Sequence, residues 1–82
     1  MNIKADLNYM EGYWAGLKME KHIEATVYKT LDGAIASKHS LVEHFKSEFG
    51  YSDEEEEFDR NYSYNHGILD ALKFLKQKQD EK

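Results

Sequence analysis

Not one of the 82 residues is proline. Nothing in the chain therefore forces a helix to break, and the five glycines, at 12, 16, 33, 50 and 67, are the strongest punctuation it carries. Three stretches without a strong stop follow, over residues 3–31, 34–49 and 52–80. In the first, Ile3, Leu7, Met10, Trp14 and Leu17 are spaced 4, 3, 4 and 3 apart, which gathers them on one helix face. Asp32-Gly33 closes the stretch, since glycine can take the left-handed conformation that ends a helix. The second has Ser40 with Glu43 as a capping box ahead of Leu41, Phe45 and Phe49, and it stops at Gly50. The third opens on a second capping box, Ser52 with Glu55, and runs through Phe58, Tyr62, Leu69, Leu72 and Leu75. The predicted fold is all-α, a single helical domain over 1–82 with two long helices and a shorter middle one. A chain this short has room for one core only.

One segment supports a second reading. Ile23, Ala25, Val27 and Leu31 alternate with Glu24, Thr26, Tyr28 and Thr30, and Asp32-Gly33 makes a good two-residue turn. An α+β domain with one hairpin at about 23–36 is the alternative. The helical reading is preferred because Lys18-Met19-Glu20-Lys21 leads in with strong helix formers and an isolated hairpin is marginal.

The chain also repeats itself. Tyr9 to Lys18 aligns with Tyr64 to Lys73 at an offset of 55 residues, with identities at the Tyr, the first Gly, the Leu and the Lys. On a helix, Tyr9, Gly12, Gly16 and Met19 form one strip, and Tyr64, Gly67, Ala71 and Phe74 form its counterpart. Glycine inside a helix costs ~1 kcal/mol relative to alanine, so its repeated use points to a packing role. The strips fit three arrangements: the helices cover each other within the chain, or Tyr9, Gly12, Gly16, Gly67 and Ala71 build a homodimer, or one face meets a target protein.

Charge is unevenly spread. Residues 1–50 hold six Lys against seven acids, a net of −1, while residues 51–82 hold five basic and nine acidic residues, a net of −4. Six carboxylates fall within the seven residues 53–59. They fit either the solvated start of a helix, complementing its positive end, or a patch that imitates a row of phosphates. The net charge of −5 argues against direct nucleic-acid binding, which requires excess cation. The absence of cysteine excludes disulfides and thiolate chemistry and suits a reducing cytoplasm. No apolar run is long enough to span a membrane.

Neither a catalytic residue nor a cofactor site is expected, for no triad spacing and no Gly-rich phosphate loop occurs. His22, His39, His44 and His66 are read as surface histidines. The pairs His39/Glu43 and His44/Glu48 point about 140° apart on a helix, so no metal site is expected either.

Tyr9 to Lys18 resembles the Y-x-x-G-Y-x-x-G/A-L pattern of small helical proteins encoded by bacteriophages and mobile elements. Tyr64-Asn65-His66-Gly67-Ile68-Leu69 is similar to a Y-N-x-G-x-L stretch of acidic antirestriction proteins that imitate DNA, whose tryptophan-containing continuation this chain lacks. Each likeness covers about ten residues. Together they imply an inhibitor or adaptor that occupies a host protein with a basic surface, in the host cytoplasm if phage-encoded. The residues expected to meet that partner are Tyr13, Trp14, Tyr62 and Tyr64 for area, and Asp53, Glu54, Glu55, Glu56, Glu57 and Asp59 for charge. The alternative is a structural homo-oligomer with no external target.

Overall fold

The computed structural model describes residues 1–81 and is all-α. Three helices carry the fold: α1 (Leu7–Met19), α2 (Leu31–Phe49) and α3 (Arg60–Asp80), with 3-10 turns at Ile3–Ala5 and Glu20–Ala25. The predicted class holds and no hairpin forms at 23–36, but the shortest helix is α1, with 13 residues, and not the middle one, with 19. The only β-type pairing among the described residues is an isolated bridge between Asn2 and Glu54.

The helix boundaries differ from those expected, and caps explain why. Asp6 takes an extended conformation and accepts the backbone N–H of Asn8 and Tyr9, at 3.1 and 3.4 Å, so α1 begins after it and not at Ile3. The first helix also stops early. The chain tightens into the 3-10 turn, leaves helical geometry at His22, and then crosses Thr26 in extended and Lys29 in left-handed conformation (φ 62°). Thr30 accepts the Gly33 N–H at 3.0 Å and caps α2, so Asp32-Gly33 opens this helix instead of closing the previous one. Ser40 lies in mid-helix and caps nothing. Gly50, at φ 69°, ends α2 in the left-handed conformation that glycine adopts without strain.

Residues 50–59 are not helical, which is the largest departure from the expected layout. Ser52 does donate to Glu55 Oε1 at 2.8 Å, but this local contact begins no helix. Like charges three and four positions apart would repel one another along a helix through 53–57. The true cap is Asp59, which accepts the Tyr62 N–H at 3.0 Å.

The packing follows from which side chains are small. Asp6 meets Ser63, Gly12 lies against Tyr64, Tyr13 against Gly67, and Gly16 against Ile68 and Ala71. Partners advance in the same direction, so α1 and α3 run side by side in parallel. A Cβ at Gly12 would overlap the carbonyl of Tyr64, and one at Gly67 would overlap the carbonyl of Tyr9. The two copies of the repeated segment thus press reciprocally on each other's backbone. At Gly16 a Cβ would stand 2.9 Å from the Ile68 carbonyl oxygen. The glycine strips close on each other inside one chain.

Helix α2 runs the opposite way along α3, with Asp32 near Lys76, Lys38 bonded to Asn65 and Phe45 against Tyr62. It buries Leu31, Ala34 and Val42. The core has two parts. Ile3, Tyr9, Val42, Tyr62 and Leu69 form one, and Leu31, Ala34, Ile68 and Leu72 form the other. The apolar face of α1 is largely exposed: Leu7 is 73%, Met10 49% and Trp14 61% accessible, and only Ile3, which precedes the helix, lies in the core.

Candidate functional site

Two regions gather candidate functional side chains. The first is a polar cluster at the start of α3, assembled from three segments. His66 places Nε2 3.1 Å from Asp53 Oδ1 and Nδ1 3.2 Å from Asp70 Oδ2. Each carboxylate also receives a tyrosine hydroxyl: Tyr62 donates to Asp53 Oδ1 at 2.7 Å, and Tyr9 donates to Asp70 Oδ2 at 2.6 Å. Helical spacing aligns His66 with Asp70 on α3, while the 50–59 loop brings in Asp53 and α1 brings in Tyr9. Beside the cluster, Ser63 donates to Asp6 Oδ2 at 2.6 Å, which ties the α1 cap to α3.

The electrostatics are those of a paired charge. Burial opposes the imidazolium, but Asp70 and then Asp53 outweigh it and raise the His66 pKa above its ordinary value. Burial likewise opposes the Asp70 carboxylate, and contacts with His66 and Tyr9 overcome it and lower that pKa. Both tyrosines are pushed well up, first by burial and then by the carboxylates that accept from them, so they stay neutral donors. His66 Nδ1 lies off the line of a straight hydrogen bond to Asp70 and has no other partner. These are residue types of general acid–base chemistry, but Tyr9, Tyr62 and His66 are all buried. Their geometry locks α1, the acidic loop and α3 together.

His66 thus corrects the reading of all four histidines as surface groups; His22, His39 and His44 are exposed. Among the described residues, no three His, Asp or Glu side chains are arranged to hold a metal ion.

The second region is the surface formed by the acidic loop. Glu54, Glu55, Glu56 and Glu57 are exposed. Two backbone hydrogen bonds hold the loop to the N-terminal residues, Ile3 N–H to the Asp53 carbonyl at 2.8 Å and Glu55 N–H to the Met1 carbonyl at 3.1 Å. Asn2 adds a side-chain bond to Glu54 at 2.7 Å. Asp53 is turned inward to His66, and Asp59, though exposed, is occupied as the cap of α3. Of the expected aromatic contacts, Trp14 is open with Lys18 Nζ 5.1 Å over its ring, Tyr64 is partly exposed and Tyr13 is half-buried against the core. Tyr62 is fully buried and offers a partner no area, because its ring fills the space between Phe45, Tyr51 and His66.

Sequence reasoning missed the cluster. Its only local signal is the His66/Asp70 spacing of four; Asp53 and Tyr9 are joined to it by tertiary structure alone. Sequence reasoning also missed the caps Asp6, Thr30 and Asp59, although each is a favoured N-cap residue type, because Ser40 and Ser52 carry the stronger Ser-x-x-Glu signature. No helix among the described residues is long and apolar enough to cross a membrane. No family model, curated protein or solved structure matches the chain.

Proposed function

We propose that the protein acts by binding another protein through the acidic loop and the open side of α1, as an inhibitor or adaptor directed at a basic surface. The observation that carries this reading is the state of Glu54–Glu57, which stand exposed in an irregular loop and support no helix start. Glu54 and Glu55 also tie the loop to Asn2 and Ser52, but the summed charge of the four acids is not spent on capping and extends outside the molecule, where it steers encounter with a cationic partner. Trp14, Met10 and Leu7 supply apolar area on α1. The resemblance of residues 9–18 to phage and mobile-element proteins favours a host protein as the target, met in the cytoplasm.

The homo-oligomer reading is left with less surface, since the glycine strips are consumed within the chain; self-association would have to use the Leu7-Met10-Trp14 face. Light scattering separates the two, a monomer at micromolar concentration removing the oligomer. For the partner reading, Glu54, Glu55, Glu56 and Glu57 are replaced together by Gln. Association with a captured basic partner is expected to slow ~10-fold or more at low salt, with most of the difference lost at high salt. Equal rates at low salt would take the acidic loop out of the mechanism.

A further inference from the structure

Where α2 ends and the acidic loop begins, a cleft of about 280 Å³ opens. That is just below the ~300–1,000 Å³ of typical small-ligand sites and suits one long side chain. Its walls are aromatic. Phe49 and Tyr51 stack with centroids 5.5 Å apart and planes at 29°, Phe58 joins them, and Tyr62 lies at the base. Phe49 is 59% accessible, so this wall of the cleft is open to an incoming side chain. Glu55, Glu57 and Asp59 also line the cleft, and no Lys or Arg does. Among the described residues, none of these three carboxylates has a cationic group within 4.0 Å.

Building on the partner-binding reading, we propose that this cleft receives an arginine side chain of the partner. Charge complementarity requires a cation, and the stacked rings require a flat or aliphatic surface beneath that charge. Arginine supplies both. Its guanidinium stacks on aromatic faces, forks onto carboxylates and is more weakly hydrated than the compact ammonium of lysine. Glu55 is pre-set for the contact by the Ser52 hydroxyl at 2.8 Å, and Asp59 by its place as the α3 cap.

The test uses the full chain, labelled with nitrogen-15, and the blocked peptide acetyl-(Gly-Arg-Ser)3-amide, alongside peptides with lysine or neutral citrulline in place of arginine. The arginine peptide is expected to shift the amides of Gly50, Tyr51 and Glu57 saturably, the lysine peptide to bind roughly fivefold more weakly, and citrulline not to bind. Phe49→Ala and Glu57→Gln should each weaken the arginine peptide by roughly fivefold to tenfold, whereas Glu56→Gln, outside the cleft, should change it less than twofold. Circular dichroism melts of the three variants establish that each is folded. Lysine binding as tightly as arginine, no arginine binding at low salt, or equal losses for Glu56→Gln and Glu57→Gln would each overturn the cleft assignment. Equal losses would leave the steering role of the loop standing. That role fails separately, if the four-Gln variant associates with its protein partner at the wild-type rate.

Discussion

Helix α1 has two faces, and the chain buries the less hydrophobic one. Leu7, Met10 and Trp14 look outward, while the strip containing Gly12 and Gly16 is pressed on α3. The difference teaches that close approach can outweigh side-chain area. Where two glycines let backbones touch, many weak dispersion contacts form at once and the neighbouring Tyr9, Ile68 and Leu72 are sealed from water. A large apolar face offers more transferable area, but it would hold the helices apart. An exposed row of such residues is left as contact surface.

The sharpest way to break this comparison is to put a methyl group on the buried face. Gly12→Ala or Gly67→Ala sets a Cβ into a backbone carbonyl that cannot rotate away, so each should cost ~3 kcal/mol or more in urea unfolding. A loss below ~1 kcal/mol, the ordinary gain from Gly to Ala in a helix set against mild crowding, would mean that the helices are not in close contact.

The next largest effect lies at His66. His66→Gln leaves Asp53 and Asp70 without their shared cation and should cost ~1–3 kcal/mol near pH 6. Because the folded-state pKa is raised, the stabilisation from His66 is complete below ~6.5 and is lost as pH rises through the folded value. Asp70, with a lowered pKa, contributes above the unfolded carboxylate range and loses its share as pH falls through the folded value. Thermal midpoints should therefore decline from pH 6 to pH 9 in the wild type and flatten in His66→Gln. A wild-type midpoint that climbs over that range would contradict the assigned direction.

Tyr9→Phe sharpens the same face more gently. It removes the hydroxyl donor to Asp70 while keeping the ring, for an expected loss of ~1 kcal/mol, measurable in a denaturant series. The smallest effect belongs to the outward face. Trp14→Ala should alter stability by no more than ~0.5 kcal/mol, because the side chain is mostly exposed and belongs to neither part of the core. A loss comparable to that of Gly12→Ala would restore the large apolar face as part of the core.

Much of this layout is legible in the residues. The absence of proline, the periodicity of Tyr62, Leu69 and Leu72, and the duplicated Tyr-x-x-Gly segments anticipate helices, a core and a close contact. Which face of α1 packs on α3 stays open at the level of sequence, because hydrophobic periodicity reports which residues share a face, not which face meets a partner. The loop at 50–59 was mistaken for helix because a Ser-x-x-Glu spacing carries no information about the repulsion among the acids inside it. As for the cluster, no local pattern predicts that Asp53 and Tyr9 converge on His66, since those meetings depend on α1 and the loop packing against α3.

The parallel arrangement of α1 and α3 also sets a cost in chain entropy. Asp6 and Ser63 are separated by 57 residues and Tyr9 and Asp70 by 61, while Lys38 and Asn65, which join α2 to α3, are only 27 apart. Each doubling of a closing loop costs ~0.6 kcal/mol more chain entropy, so docking α1 closes the costlier loop, and the close glycine contact with α3 offsets it. Release of α1 would free the glycine strip, the Tyr9 hydroxyl and the N-terminal residues that hold the acidic loop in shape. The helix that exposes Trp14 is then also the latch of the fold, and whatever grips its outer face acts directly on the stability of the whole.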